Sequence, residues 1–199
     1  MRQEAVVRVA DGEFKESVIG RGVRQGCSLS PLLFAIYSEM MMIEALEDVE
    51  EGVNVGGQLL KDVRFADDMA MVATTEEGLQ AIMDKLVGRA GTAERYDMKL
   101  NVKKTKTMVV SKDGEGTINI LIEGQKVEQV KSFRYLGELI TADGRSEQEV
   151  KVRIGMAKTA FGKKKELLSR RMSKNVKKRM VKALIWSVGL YGCETWIIR

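Results

Sequence analysis

Apolar residues recur at helical spacing after a glycine-containing stretch near the start of the chain. The apolar positions are Leu32, Leu33, Ile36, Met40 and Ile43. This spacing predicts a helix from Pro31 to about Leu46, and these residues form its apolar face. Ser30 is expected to cap the helix, with Pro31 in the first helical position, where its missing N–H costs nothing.

A second helical stripe begins just after Thr75, which precedes two glutamates and therefore fits a helix start. Its apolar positions are Leu79, Ile82, Met83, Leu86, Val87 and Ala90. All of them fall on one side of a helix with 3.6 residues per turn. The pattern therefore predicts a helix with one buried stripe.

Short apolar runs separated by turn-forming pairs predict β-hairpins elsewhere. Residues 5–9 and 14–19 flank Asp11-Gly12, and residues 52–61 turn at Gly56-Gly57. The apolar run 63–72 is broken in its middle by Asp67-Asp68, which predicts strand, tight turn, strand. Further short strands are expected at 107–110, 117–122 and 126–130.

Two more helices are predicted beyond Gly137. Ser146 and Glu149 fit a capping box ahead of a helix that reaches the Leu167 region, and Ser173 can cap a second helix. The apolar stripe of this last helix is Val176, Met180, Leu184 and Val188. The chain is therefore expected to be an α+β body followed, from about residue 140, by a helical part.

Charge is distributed unevenly between these parts. Residues 151–182 hold thirteen Lys or Arg and one acid, Glu166, a local net charge of +12. The whole chain carries +5, so the remainder carries −7. A basic block beside an acidic one suits a protein that binds a polyanion with one element and cations with another. The alternative is a solvated helix face.

Composition excludes several classes of protein. With 199 residues, 44% hydrophobic and 31% charged, the chain can form one or two compact domains. It has no apolar run of about 18 residues and no signal-peptide pattern, so an intracellular protein without a membrane span is expected. Two cysteines and no histidine exclude zinc fingers and His-based catalysis, so any metal must be held by oxygen.

Asp67-Asp68 is the pair of residues that most needs an explanation. Two adjacent carboxylates within an apolar run are costly to bury without a compensating cation or hydrogen bonds. One interpretation is an exposed hairpin tip. The other is a two-metal site, in which carboxylates hold two Mg²⁺ ions that activate an in-line phosphoryl displacement. Both need a tight hairpin, so neighbouring motifs must decide.

Four segments in the same order and spacing resemble the palm of reverse transcriptases. They are Gly22–Phe34 with its Arg-Gln-Gly-Cys loop, Phe65–Asp68, the Asn-x-x-Lys-Thr element at Asn101–Thr105, and the Tyr-Leu-Gly element within Phe133–Gly137. The Phe-Ala-Asp-Asp form, together with Tyr191–Trp196, is most similar to the enzymes of non-LTR retrotransposons. The resemblance covers roughly residues 5–199.

The resemblance implies a fold and a chemistry. The fold is a right-hand polymerase palm over residues 1–140, an antiparallel sheet with a catalytic hairpin backed by helices, followed by the start of a helical thumb over 141–199, with the fingers absent. The function implied is an RNA-directed DNA polymerase. Asp67 matches the catalytic carboxylate that ligates metal and Asp68 its neighbour with a weaker role, and the complete family site holds two Mg²⁺ or Mn²⁺ ions.

The resemblance also implies which residues bind the RNA template, the DNA primer and deoxynucleoside triphosphates. Nucleotide and template contacts fall on Arg24, Gln25, Gly26, Phe65, Ala66 and Lys104. The primer grip falls on Tyr135, Leu136 and Gly137. Contacts with the nucleic-acid backbone fall on Lys163, Lys164, Lys165, Arg170, Arg171, Lys177, Lys178 and Arg179. Structural alternatives stay open: a loop that only starts a helix, a solvated Lys104, and core packing of Tyr135 and Leu136.

The sequence departs from the family pattern upstream. The family's palm has another aspartate on a strand several dozen residues before the Gly22 loop, and Glu4, Asp11, Glu13 and Glu16 match no such element. A fragment without independent activity is therefore expected, and whether another polypeptide supplies the missing half stays open. The alternatives are a nonenzymatic nucleic-acid-binding remnant, an intron-maturase-like reverse transcriptase, or an inert fold fragment.

Overall fold

The computed structural model describes residues 3–8, 14–19, 22–87, 91–168 and 172–196. The chain forms an α+β structure of two compact units, Met1–Lys99 and Leu100–Arg199. The division into palm and thumb at residue 140 is a different kind of boundary and stays a prediction. The predicted turn at Asp11-Gly12 and the predicted positions of Ala90, Arg170 and Arg171 lie outside the described residues.

Within its described residues, the first unit has three antiparallel strand pairs and three helices. The paired strands are β1 (Gln3–Arg8) with β2 (Phe14–Ile19), β3 (Val53–Val55) with β4 (Gln58–Leu60), and β5 (Asp62–Phe65) with β6 (Asp68–Met71). The helices are α1 (Ser30–Leu46), α2 (Glu76–Val87) and α3 (Thr92–Arg95). The predicted strand pairs and the first two predicted helices are confirmed.

The core of this unit lies where the three helices meet. Its buried members are Met41, Met42, Ala45, Leu46, Val49, Ile82, Leu86 and Ala93. Met69 and Met71 of β6 are partly buried against this core. Burial of one large apolar side chain stabilises a fold by about 1.5–3 kcal/mol, so these contacts hold β6 in place. The hairpin β5–β6 is thereby anchored from one side.

The predicted apolar face of α1 is wrong as an inward face. Leu32, Leu33, Ile36, Met40 and Ile43 are between 51% and 60% exposed, whereas Met41, Met42, Ala45 and Leu46 are buried. The helix is apolar on both sides, so period alone could not choose the buried one. The stripe predicted for α2 is confirmed at Ile82, Met83 and Leu86, and the Thr75 hydroxyl accepts a hydrogen bond from the Gly78 N–H at 3.0 Å.

In the part of the second unit that the structure describes there are six short strands. They are β7 (Lys106–Thr107), β8 (Leu121–Ile122), β9 (Gln125–Lys126), β10 (Glu128–Gln129), β11 (Ser132–Tyr135) and β12 (Glu138–Thr141). β7 pairs with β10 in parallel, while β8–β9 and β11–β12 are antiparallel. Two predicted strands are shorter than expected, and the strand predicted at 126–130 is split into β9 and β10. The Gln129 side chain explains part of this, because it bonds the Ile118 N–H and the Gly116 carbonyl in place of a strand partner.

The helices of the second unit begin with α4 (Glu147–Lys164), which continues into a 3₁₀ turn at Lys165–Leu168. Next come α5 (Lys174–Val181), a π-helical turn at Lys182–Trp186 and α6 (Ser187–Gly189). The predicted helices are confirmed. None of the helices within the described ranges is long and apolar enough to cross a membrane.

Two details of these helices differ from prediction. The Ser146 side chain makes no cap hydrogen bond, so the predicted capping box is wrong, whereas Ser173 does cap α5 by accepting from the Val176 N–H. The predicted stripe of Val176, Met180, Leu184 and Val188 is only partly inward: Val176 is 44% exposed, and near the end of the stripe Ile185 is buried while Leu184 is 38% exposed. The π-helical turn explains the shift, because its wider turn moves the inward face by about one residue.

Candidate active site

The hairpin β5–β6 presents the two aspartates at its tip. Phe65 pairs with Asp68, so Ala66 and Asp67 form a two-residue turn. Ala66 has a φ of 54°, the left-handed conformation that a tight turn needs and a residue with a side chain seldom adopts. Asp67 and Asp68 are both exposed, and Phe65 is 65% exposed. The predicted strand, turn, strand is therefore confirmed.

The two faces of this hairpin differ. The strand register puts Arg64 opposite Met69 on the face that packs against the core of the unit. Arg64 also bonds Glu39 of α1 at 3.0 Å and Asp62 within its own strand. The other face carries Phe65 and Asp68. The hairpin is thus held from behind by packing and ion pairs, while its tip and outer face are open.

This tip offers several carboxylate oxygens to solvent at one place. Carboxylate oxygens are preferred ligands of Mg²⁺ and Mn²⁺, and exposure avoids the cost of burying two like charges. Within the described ranges, no group of three or more His, Cys, Asp or Glu side chains could hold a metal ion. The hairpin alone therefore supplies two carboxylates.

The loop before α1 is built around the Arg24 carbonyl. That oxygen accepts hydrogen bonds from the Cys27 N–H at 3.2 Å and from the Ser30 hydroxyl at 2.6 Å. Ser30 thus ties the loop to the helix and does not cap it, contrary to prediction. Gly26 has a φ of 86°, which favours glycine, and Arg24, Gln25 and Gly26 are exposed. The backbone N–H of Leu29 lowers the pKa of the Cys27 thiol.

Asn101 organises the short turn that carries Lys104. Its backbone carbonyl accepts from the N–H groups of Lys104 and Thr105 at 3.0 and 2.9 Å, and its side-chain oxygen accepts from the Lys104 N–H at 3.2 Å. The Thr105 hydroxyl donates to the same carbonyl at 3.0 Å. The polar residues of this motif thus build the turn, and Lys104 is exposed on it.

The hairpin β11–β12 has a different kind of tip. Leu136 and Gly137 form its turn, with φ values of 50° and 85°. The Tyr191 hydroxyl donates to the Leu136 carbonyl at 3.0 Å, and Arg153 and Arg134 donate to the Gly137 carbonyl, the latter at 3.4 Å. Both carbonyls of the turn are therefore bound by protein side chains.

Arg153 is itself held by a buried partner. Arg153 and Glu149 are 6% and 3% exposed and form an ion pair one turn apart on α4. Glu149 also accepts from the Leu139 N–H at 3.0 Å, and the Arg153 guanidinium lies 4.5 Å from the centre of the Tyr191 ring. Sequence reasoning assigned Glu149 to a capping box and gave Arg153 no individual role. Their i, i+4 spacing was the available signal.

Six of the residues predicted to contact the nucleic-acid backbone are described, and they lie on the helical segments of the second unit. Lys163 and Lys164 end α4 and Lys165 begins the 3₁₀ turn, and all three are exposed. On α5, Lys178 and Arg179 are exposed and Lys177 is half-buried. Five of these six described charges therefore face solvent, as both a nucleic-acid surface and a solvated helix face require.

Comparison with known proteins defines the class of this chain. Residues 2–140 match the family described as "Reverse transcriptase (RNA-dependent DNA polymerase)", which is more than half of the chain. The chain therefore belongs to the reverse transcriptase family. The family implies a palm-type polymerase fold.

The similar proteins are encoded by retrotransposable elements of the R2, non-LTR type. The Pol polyprotein of the type-2 element R2DM of Drosophila melanogaster is 29% identical over 140 residues, which is 66% of this chain and 13% of that protein. The Pol polyprotein of the type-1 element R2 of Nasonia vitripennis is 32% identical over 128 residues, 64% of this chain and 11% of that protein. The chain thus spans a small part of these relatives.

Proposed function

We propose that this chain carries part of the catalytic centre of a retrotransposon RNA-directed DNA polymerase that works by a two-metal mechanism. Asp67 and Asp68 would ligate two Mg²⁺ or Mn²⁺ ions, which neutralise charge on the triphosphate and activate the primer hydroxyl. The observation that carries this proposal is the β5–β6 tip, where Asp67 occupies the turn and Asp68 lies opposite Phe65. Both carboxylates are open to a ligand.

The other motifs receive roles in the same proposal. The exposed Arg24, Gln25 and Gly26, with Phe65 and Ala66, would line the nucleotide and template base, and the positive φ of Gly26 permits close backbone approach. Lys104 would contact the triphosphate, and the turn Tyr135–Gly137 would contact the primer. The basic residues of α4 and α5, together with Lys165, Arg170 and Arg171, would contact the nucleic-acid backbone.

The proposal includes the expectation that this chain alone does not polymerise. A two-metal centre needs ligands beyond two neighbouring carboxylates, such as substrate phosphates and a further carboxylate that bridges the ions. The chain spans 13% of the Drosophila polyprotein, whose remaining length offers space for such a partner element. DNA synthesis on an RNA template from a DNA primer is thus proposed for the whole polymerase, of which this chain would be one part.

Metal binding at the hairpin tests the central assignment. Mn²⁺ is titrated into the chain and the paramagnetic broadening of backbone amide signals in β5 and β6 is followed by NMR. We expect broadening centred on residues 65–68. In Asp67→Asn the affinity for Mn²⁺ should fall at least about tenfold, because one anionic ligand is removed. The matched control is Asp113→Asn, an exposed turn aspartate of the second unit. Unchanged Mn²⁺ affinity in Asp67→Asn would overturn the assignment.

Primer extension tests the activity. The chain is incubated with an RNA template, an annealed DNA primer, deoxynucleoside triphosphates and Mg²⁺. No synthesis is expected from the chain alone. Robust synthesis that Asp67→Asn abolishes would support the two-metal site and contradict the expected inactivity. Synthesis that Asp67→Asn leaves intact would contradict both.

A second candidate function is nucleic-acid binding without catalysis. The exposed Lys163, Lys164 and Lys165 favour it, because three adjacent cations at the end of α4 suit phosphate contacts that do not depend on sequence. Replacing all three by Gln should reduce the slope of log affinity for RNA against log salt by about two to three. If Asp67→Asn changes neither metal nor nucleic-acid binding while this slope falls, the second function replaces the first.

A further inference from the structure

We infer that Glu149, Arg153 and Tyr191 are positioning residues that fix the Leu136-Gly137 turn against the primer strand. We call these three residues the turn clamp. The inference rests on the proposed function, which places the turn beside the primer. It adds that the geometry of the turn is imposed by α4 and by the segment after α6, and not by the hairpin sequence alone.

The hydrogen bonds at the turn carry the first step. A two-residue turn points its two central carbonyls away from the strand ladder, so ordinary hairpins leave these oxygens to water. Here the Leu136 carbonyl accepts from Tyr191 and the Gly137 carbonyl accepts from Arg153. Two donors on different elements therefore determine the orientation of two successive peptide planes.

The burial of the ion pair carries the second step. Arg153 is 6% exposed and Glu149 is 3% exposed, so neither side chain can leave its partner without leaving a buried charge uncompensated. Glu149 also holds the Leu139 N–H, two residues beyond the turn. The guanidinium is thus fixed at one side by Glu149 and at the other by the Tyr191 ring. Because the guanidinium of Arg153 is held in place, the Gly137 carbonyl that it binds is held in place as well.

The conformation of Leu136 carries the third step. A leucine at a φ of 50° is strained, and glycine would relieve this strain. The Leu136 side chain is 40% exposed, so core packing does not account for it fully. The clamp holds the strained turn, and the strained turn keeps an apolar side chain at the tip. An uncharged apolar tip suits contact with a sugar or base of the primer.

A matched pair of tyrosine variants tests the clamp. Tyr191→Phe removes only the hydroxyl that binds the Leu136 carbonyl. Tyr37→Phe removes a hydroxyl that binds the Tyr96 carbonyl at 2.7 Å in the first unit. Both lose one hydrogen bond from a partly exposed tyrosine to a backbone carbonyl, so their effects on stability should be similar. Only Tyr191→Phe alters the turn.

The readout is the affinity for a fluorescent RNA–DNA primer–template duplex, measured by anisotropy with the full chain at fixed salt. Tyr191→Phe should weaken binding about fivefold, or about 1 kcal/mol, because the turn is then no longer held in the geometry that contacts the primer. Tyr37→Phe should change it less than twofold. Equal effects of the two variants, or no effect of Tyr191→Phe, would overturn the clamp as a positioning device.

Leu136→Ser separates failure of the clamp from failure of the proposed function. If Leu136→Ser weakens duplex binding and Tyr191→Phe does not, the primer contact stands and the clamp is wrong. If neither variant weakens binding, the primer assignment of the turn is wrong and the clamp falls with it. Weaker binding in both variants, with Tyr37→Phe unchanged, supports both.

Discussion

The hairpins β5–β6 and β11–β12 both carry a sequence motif and have nearly the same backbone. They differ in whether the polar groups at the tip are bound by the protein. Each has a two-residue turn with a strained non-glycine residue in its first position, Ala66 at a φ of 54° or Leu136 at 50°. The β5–β6 hairpin is packed along one face and has an open tip with two carboxylates. The β11–β12 hairpin has both turn carbonyls bound by side chains from later in the chain.

The difference shows how one element can serve two purposes. A tip that is to bind cations must leave its oxygens unoccupied, so its position has to be fixed from behind, here by Met69, Met71 and Arg64. A tip that is to contact a strand by its shape can have its polar groups satisfied by the protein, which fixes it directly. The two hairpins should therefore differ in how strongly single substitutions change the free energy of unfolding.

The largest effect is expected for Arg153→Met. This change leaves the 3% exposed Glu149 as a buried charge without its partner, which costs about 3–5 kcal/mol. The measurement is the free energy of unfolding in urea, followed by a probe in the second unit. The control, Arg95→Met, breaks the exposed ion pair with Glu44 and should cost under about 1 kcal/mol. A similar loss of unfolding free energy in the two variants would show that the buried ion pair of the clamp stabilises the protein no more than an exposed ion pair does.

Gly192→Ala should weaken the clamped hairpin by about 2 kcal/mol. Gly192 has a φ of 73°, and a Cβ there would lie 1.4 Å from Oε1 of Glu138, which must move away from Thr195. Gly124→Ala is the matched control, because Gly124 has a φ of 76° and nothing within 4 Å of its Cβ position. It should cost only the backbone strain, about 1 kcal/mol. Equal losses of unfolding free energy would show that Glu138 yields freely.

Ala66→Gly should stabilise the first unit by about 0.5–1 kcal/mol, since glycine adopts a φ of 54° without strain. Leu136→Gly relieves similar strain but removes a side chain that is 60% buried, the complement of its 40% exposure, so its gain should be offset. Thermal unfolding of both variants provides the comparison. Stabilisation by Leu136→Gly as large as that by Ala66→Gly would mean that the clamped tip gains nothing from its leucine.

The smallest effect concerns the turn after β12. The Thr141 hydroxyl, at 2.5 Å, and the Arg145 N–H lower the pKa of Asp143 below its usual value. A lowered pKa in the folded state favours the ionised carboxylate, so its contribution to stability is present above about pH 4 and lost as pH falls further. In Asp143→Asn this acid-side loss should be absent. The check is urea unfolding from pH 7 to pH 2; a difference between the proteins that is constant with pH would contradict it.

Local patterns in the sequence predicted much of the fold. The bounds of α1, Ser30–Leu46, followed from Ser30-Pro31 and the helical period, and the β5–β6 hairpin followed from two aspartates inside an apolar run. The buried face of α1 did not follow, because Met41, Met42 and Ala45 compete with an equally apolar opposite stripe. Periodicity finds a helix, but tertiary packing decides which side is covered.

The clamp could not be predicted for a related reason. Glu149 and Arg153 have the spacing of an ordinary surface ion pair, and Ser146 before them imitates a capping box. Their burial depends on Gly137, Leu139 and Tyr191, which are distant in sequence. Likewise, the π-helical turn that moved the buried position from Leu184 to Ile185 has no local signature in the sequence.

The bond between Tyr191 and Leu136 joins residues 55 positions apart. A ribosome that has just released Leu136 from its exit tunnel has therefore not yet delivered the donor that completes the turn. The tip of the β11–β12 hairpin is completed only when the segment that carries Tyr191 is present, because this contact has a high sequence separation. A recombinant protein that ends before Tyr191 would keep the Tyr-Leu-Gly motif but would lose the hydrogen bond that fixes the conformation of the turn.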